Sequence, residues 1–329
     1  MYDLVNLPKD ELAAILQEVS NAKGLSKAII EKDLWVCTIL DYLFTKSPWR
    51  NQLAFKGGTS LSKAYNLIER FSEDIDLILD WRILGYGKTE PLAERSANQQ
   101  DKLNKEIISK TSEFLQMSFI PKLREDLSEL INRDLQVIFD DEAVIIGYGN
   151  DYNDESILRV IRLEIGALAA WTPTQITTIR PYIAEAYPDK FGNASVDVRT
   201  TTPERTFWEK ITILHREAFC PENLPLPPRM SRHYYDVYRM AKLGVLDRAL
   251  QNPDLLDQVA AFKAKFYPQK RARYELARLG TLRLTPPDYN LKPLQRDYAA
   301  MAGMIYGERP EFEELMEEIT KIEQRITLW

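Results

Sequence analysis

The sequence predicts an α+β protein in which a domain built on a small mixed sheet is followed by a helical one. Three observations lead there. Short runs of aliphatic and β-branched residues fall within the first 200 positions, where three to six strands are expected. After Pro203 nearly every apolar pattern has helical spacing. At 329 residues the chain can bury the cores of two ordinary domains. The expected division is 1–200, N-terminal helices plus the sheet domain, and 201–329, the helical domain.

Residues 8–21 and 26–45 read as amphipathic helices, with Leu12, Ile15, Leu16 and Val19 on one face and Ser26 as an N-cap for the second. Gln52–Lys56 is a short apolar strand that runs into Gly57-Gly58, a tight turn. Leu61–Arg70 is helical in pattern, and Asp74–Asp80 reads as a strand. A polar loop over 85–96 precedes a long helical stretch, 97–132. Leu135–Tyr148 reads as a hairpin around Asp140-Asp141. Leu158–Ala167 is a further strand, bounded by the polar loop GNDYNDES, and Ser195–Arg199 is another. The proline-rich PENLPLPP, 221–228, interrupts the later helices as a loop.

Composition excludes several classes. The 43 basic and 49 acidic residues leave a formal charge of −6, so the chain is not basic throughout, although a local basic patch remains open. Cys37 and Cys220 are far apart and outside any C-x-x-C pattern, which argues against a thiolate zinc site or a disulfide scaffold and fits a reducing cytoplasm. With His215 and His233 the only histidines, a metal must be held mainly by oxygen ligands, which favours Mg²⁺ or Mn²⁺. No secretory leader or membrane span is legible.

The segment FKGGTSLSKAYNLIERFSEDIDLIL, residues 55–79, concentrates the chemistry. A strand that ends in Gly-Gly and turns into a helix presents free N–H groups at a helix end that favours negative charge. Thr59 and Ser60 add hydroxyls. Glycine turns before helices are common, and no Walker pattern is present. The D-x-D adds more. On a strand Asp74 and Asp76 share a face, and two adjacent carboxylates repel unless a cation lies between them. Such a pair beside a phosphate-binding turn is what metal-assisted phosphoryl transfer needs. A solvated strand edge would also carry two aspartates.

FKGGTSLSKAY…ERFSEDIDL closely resembles the signature of the DNA polymerase β-like nucleotidyltransferases, and in particular of the AbiEii/AbiGii-type bacterial toxins. EKDLWV (31–36), RLEIGA (162–167), TTPERTFWEKITILH (201–215) and SRHYYDVYRM (231–240) resemble that family in order and spacing, over about residues 30–240. The resemblance implies a polymerase β-like nucleotidyltransferase core and a helical C-terminal domain that completes the active site. It implies that Gly57, Gly58, Thr59 and Ser60 form the nucleotide-phosphate loop and that Asp74 and Asp76 bind the metal. Lys210 and Asp236 would complete the catalytic set: a lysine suits a triphosphate and an aspartate can orient it or assist proton transfer. Read without the family, Lys210 lies on a solvated helix face and Asp236 on a buried aromatic helix beside Tyr234, Tyr235 and Tyr238. Glu164 is either a third metal carboxylate or the partner of Arg162 in a structural ion pair. His215 and His233 could contact phosphate or base, or serve packing and capping.

The implied reaction moves a nucleoside monophosphate from an NTP to an acceptor with release of pyrophosphate. Some family members modify tRNA 3′ ends and block translation, and such toxins are usually encoded beside an antitoxin. Residues 263–283 hold seven lysines and arginines against Glu275, with Phe266, Tyr267 and Tyr274 interleaved. This segment is the candidate RNA surface, the other reading being a helix face balanced by the acidic 308–318. Transfer to a protein side chain, or a non-catalytic nucleotide-binding module, are the alternative functions.

Overall fold

The computed structural model describes residues 1–72, 74–149 and 159–329. The chain forms two compact units. The first comprises Met1–Ala64 and Glu73–Thr201, the second Tyr65–Ser72 and Thr202–Trp329.

The first unit is built on seven strands: β1 (Leu53–Lys56), β2 (Asp74–Leu79), β3 (Gln136–Asp140), β4 (Ala143–Gly147), β5 (Val160–Gly166), β6 (Thr174–Ile179) and β7 (Val196–Thr201). They form one mixed sheet in the order β3-β4-β5-β2-β1-β7-β6. β2 runs parallel to β5, β1 parallel to β7, and the other neighbours are antiparallel. Leu158, the expected start of β5, and most of the polar loop before it lie outside the described residues. β6 was not legible as a strand. Its TQITTI lacks an aliphatic run, and as an edge strand it has one well-buried side chain, Ile179, while Ile176 is exposed.

Period-2 alternation places the site. In β2, Ile75 and Leu77 are fully buried on one face, and Asp74 and Asp76, half-buried, take the other. The helix Lys27–Asp41 packs on the sheet at β5 and β7, with Ser26 capping the Ile29 amide. It is buried nearly all round, charged Glu31, Lys32 and Asp33 included.

The expected helix Leu61–Arg70 instead spans Gly57–Lys63. It starts early because Gly57, at φ +81°, makes the turn. Beyond it Asn66 takes φ 52°, and the chain leaves the helix to join the second unit. The stretch 97–132 is helical from Ala97 to Leu130 with a π-turn at Leu115–Phe119. Pro121 cannot donate to the preceding turn, and the extra residue lets Phe114 and Phe119 both reach Trp49, at centroid distances of 5.2 and 5.4 Å.

In the second unit the helix Pro203–Ala218 is central, capped by Thr202 and started by Pro203. Ser231–Lys242, Val245–Leu250 and Asp254–Phe266 pack around it. Residues 65–72 are tied to this unit by a bridge between Arg70 and Ile305, the Phe71 amide to Met304 O (2.7 Å) and the Tyr306 amide to Glu69 O (3.0 Å). Among the described residues no helix is long and apolar enough to cross a membrane.

Candidate functional site

The first unit brings the glycine turn and the carboxylate pair together. β1 and β2 are antiparallel neighbours with Lys56 opposite Asp76, so the residue before the turn sits beside the second aspartate. A Cβ on Gly57 would overlap the Asp76 carboxylate, and its φ of +81° also disfavours an L side chain. Glycine at this position therefore lets the carboxylate lie against the backbone that opens the Gly57–Lys63 helix. Thr59 Oγ1 donates to the carbonyl of Asp74, and Ser60 Oγ donates to Gly57 O at 2.8 Å. The hydroxyls of the turn thus hold the turn and the strand in fixed geometry.

β5 supplies the neighbouring row. In the parallel register Asp74 is opposite Arg162 and Asp76 opposite Glu164. Arg162 Nε donates to Glu164 Oε1 at 3.2 Å, and the Glu164 side chain is 48% exposed. Glu164 thus joins the aspartates on one face and is engaged by arginine at the same time. Among the described residues no three His, Cys, Asp or Glu side chains converge as a ready metal-binding group. The donors present, two half-buried carboxylates on one strand face, fit Mg²⁺ or Mn²⁺, which need only one or two carboxylates when phosphate oxygens and waters complete the shell.

The far end of the Gly57–Lys63 helix is held from below. Lys63 Nζ lies 2.7 Å from Asp33 Oδ1 with both side chains almost fully buried, and 4.0 Å from the centre of the Tyr182 ring. Asp33 Oδ2 also accepts the Tyr182 amide at 2.6 Å, and Glu185 is a second, more distant carboxylate at 3.7 Å from Lys63. Burial pushes the Asp33 carboxyl up against the pull of Lys63. Burial opposes the Lys63 ammonium, but Asp33, together with Cys37 and Glu185, outweighs it and raises the lysine overall. The EKDLWV motif therefore works through Asp33, as a buried support for the glycine-turn helix.

The second unit brings Lys210 and Asp236 together. Lys210 Nζ is 2.6 Å from Asp236 Oδ2, and the lysine is 7% exposed, so it lies inside the unit rather than on a solvated face. Arg205 and Glu209 form the expected i,i+4 pair at 2.9 Å. Asp236 is fully buried and also accepts two bonds from Arg70, Nε at 2.7 Å and Nη2 at 2.8 Å. Sequence reading missed Arg70. Its only signal was a basic residue within ERFSEDIDL, with nothing local to show that Asp236, 166 residues on, would be its partner.

Burial would raise the Asp236 carboxyl, but Arg70 and Lys210 outweigh it and hold the group well below the ordinary carboxylate range. Lys210 is pulled down, first by burial and further by the Arg70 charge, with Asp236 opposing. Arg70 and Lys210 thus share one buried carboxylate. His233, one turn before Asp236, is held well below its ordinary value by burial and by nearby Lys210 and Arg232, so it is neutral near pH 7, and its Nδ1 is buried without a partner. His215 is fully buried between the Arg273 carbonyl (3.2 Å) and the Arg283 amide (3.0 Å), a packing role.

The basic segment is less free than its charge suggests. Lys263 donates to Glu209 O (2.7 Å), Arg271 to Cys220 Sγ (3.5 Å), Arg273 pairs with Glu275 (2.6 Å), and Arg278 donates to Glu275 O (2.9 Å).

Residues 38–318 match the sequence model of a family described as nucleotidyl transferase AbiEii toxin, type IV toxin–antitoxin system. Among solved structures the chain is similar to MenT4, the nucleotidyltransferase toxin Rv2826c from Mycobacterium tuberculosis H37Rv. The identity is 13%, the TM-score 0.46, and the alignment covers 96% of this chain and 98% of that one. No curated protein matches.

Proposed function

Because the chain belongs to the AbiEii nucleotidyl transferase toxin family, we propose that it transfers a nucleoside monophosphate from an NTP to the 3′ end of tRNA, inhibiting translation, in a metal-dependent reaction. As a toxin of a type IV system it is paired with an antitoxin. The observation that carries the catalytic reading is the fit of Gly57 against Asp76, with Thr59 bonded to the Asp74 backbone. A turn shaped to receive phosphate and a carboxylate pair suited to a divalent cation are built as one piece.

In this reading Asp74 and Asp76 hold Mg²⁺ or Mn²⁺, which supplies charge neutralisation for the phosphates. The backbone of Gly57–Ser60 binds phosphate oxygens. For Lys210 the family resemblance implies a compact positive charge for the triphosphate; within the second unit it pairs with Asp236, which Arg70 also binds. Glu164, opposite Asp76 in register, is the third carboxylate within reach of the same strand face. The acceptor hydroxyl attacks the α-phosphorus, the bond to the β-phosphate oxygen breaks, and pyrophosphate leaves.

The test is turnover of each labelled NTP with total tRNA and Mg²⁺. Label should enter RNA and should be lost in Asp76→Ala. Label found only in protein would transfer the assignment to side-chain modification, and turnover that survives Asp76→Ala would end the catalytic reading.

A further inference from the structure

Away from the residues assigned to catalysis, the first unit has a polar cavity of about 640 Å³, open to solvent, at the start of β5. Its lining includes Lys9, Arg133 and Arg159, with Asp134 the one acid among its described lining residues, and Asn132 and Gln136 add amide groups. Arg133 is held rigidly, its guanidinium donating to Val5 O (2.6 Å) and Leu7 O (3.2 Å). Arg159 differs. Its two terminal guanidinium nitrogens are shielded from solvent and have no hydrogen-bond partner.

A shielded, unpaired guanidinium is a costly state. It has lost water and gained nothing, and side chains with this much charge are rarely buried without a counter-charge. A guanidinium is a cation, so the partner that Arg159 lacks is an anion. The planar fork of arginine matches oxyanions such as phosphate through two parallel bonds. Because no hydrogen bond restrains it, Arg159 can turn toward an entering oxyanion by a change of rotamer alone. The cavity is far larger than one inorganic ion and falls within the size range of small-molecule sites. Amide groups beside the cations can satisfy the donors and acceptors of a base or ribose.

We propose that this cavity is a second phosphate-binding site, separate from Asp74 and Asp76, that takes a nucleotide-sized phosphate ester with its phosphate on Arg159. Val160, which lines it, stands two residues before Arg162, the register partner of Asp74. The site therefore lies at the same end of the sheet as the carboxylate pair, one strand over. The phosphate can belong to a free nucleotide or to a nucleotide in an RNA strand.

The test is calorimetric titration of the full-length protein without divalent cation, using AMP, inorganic phosphate and a single-stranded RNA trinucleotide as probes. Binding of AMP or of the trinucleotide should weaken at least tenfold in Arg159→Gln and persist in Asp76→Asn. AMP binding identifies a free nucleotide as the ligand source, and binding of the trinucleotide alone identifies a strand. Equal binding by wild type and Arg159→Gln, or loss only in Asp76→Asn, overturns the proposal. Should Arg159→Gln fail to fold, nitrogen-15 NMR of the wild-type arginine side chains decides. The Arg159 Nε signal should shift on saturation with the tightest probe, and an unmoved signal refutes the site.

Discussion

Asp236→Asn and Lys210→Met should have very unequal consequences for the stability of the second unit, although each removes one member of the same ion pair. Asp236 is fully buried between two cations that are themselves almost fully buried, Arg70 at 3% and Lys210 at 9% side-chain exposure. Neutralising the aspartate removes the carboxylate that both cations share. Stranding buried charges in this way costs about 3–5 kcal/mol. At about 3 °C per kcal/mol for a unit of this size, the melting temperature should fall by roughly 10–15 °C. Lys210→Met instead leaves Arg70 and Asp236 as a neutral, doubly bonded pair and replaces a lysine whose ammonium burial already disfavours. Its melting temperature should change by no more than about 3 °C, within the roughly 1 kcal/mol expected of a volume-conserving change. Turnover should nevertheless fall about 100- to 1,000-fold, the usual loss when one group that stabilises transition-state charge is removed. Thermal unfolding followed by circular dichroism, with labelled-NTP turnover on the same samples, measures both. If Asp236→Asn melts with the wild type, or Lys210→Met falls as far as Asp236→Asn, the reasoning from buried charge is wrong.

The acid limb of stability should show the same carboxylate. Asp236 is depressed in the fold, so its contribution is complete above its ordinary value of 3.8 and is lost as pH falls below that. Acid unfolding below about pH 4 should be steep in the wild type and shallower in Asp236→Asn; identical slopes would remove Asp236 as the cause. Gly57→Ala should abolish turnover, since its methyl would displace the Asp76 carboxylate and its φ is left-handed; wild-type rates in that variant would refute the packed turn. Lys63→Met should destabilise the first unit by about 3–5 kcal/mol by leaving Asp33 buried beside Tyr182 without its cation. Denaturant unfolding gives the value, and a loss below 1 kcal/mol would refute Asp33–Lys63 as a buried support.

Local rules made much of this protein legible. Alternation in DIDLIL put both aspartates on one face, because successive strand residues point to opposite sides whatever the tertiary fold. Thr202-Pro203 marked a helix start because capping depends only on neighbouring residues. What the sequence could not show depends on distance along the chain. Lys210 read as a surface lysine by itself, because nothing within its helix reveals the Asp236 carboxylate that makes its burial tolerable. Arg70 was invisible for the same reason, and Asp33 stood out only as a word in a motif until the fold set it under Lys63. β6 escaped because an edge strand needs no continuous apolar pattern. Sequence by itself determined that Asp74 and Asp76 share one strand face beside the glycine turn. Only tertiary structure decided which charges are paired, since the energy of a buried charge is set by partners outside its own helix or strand, such as Arg70 and Asp236, 166 residues apart, and by the exclusion of water around them.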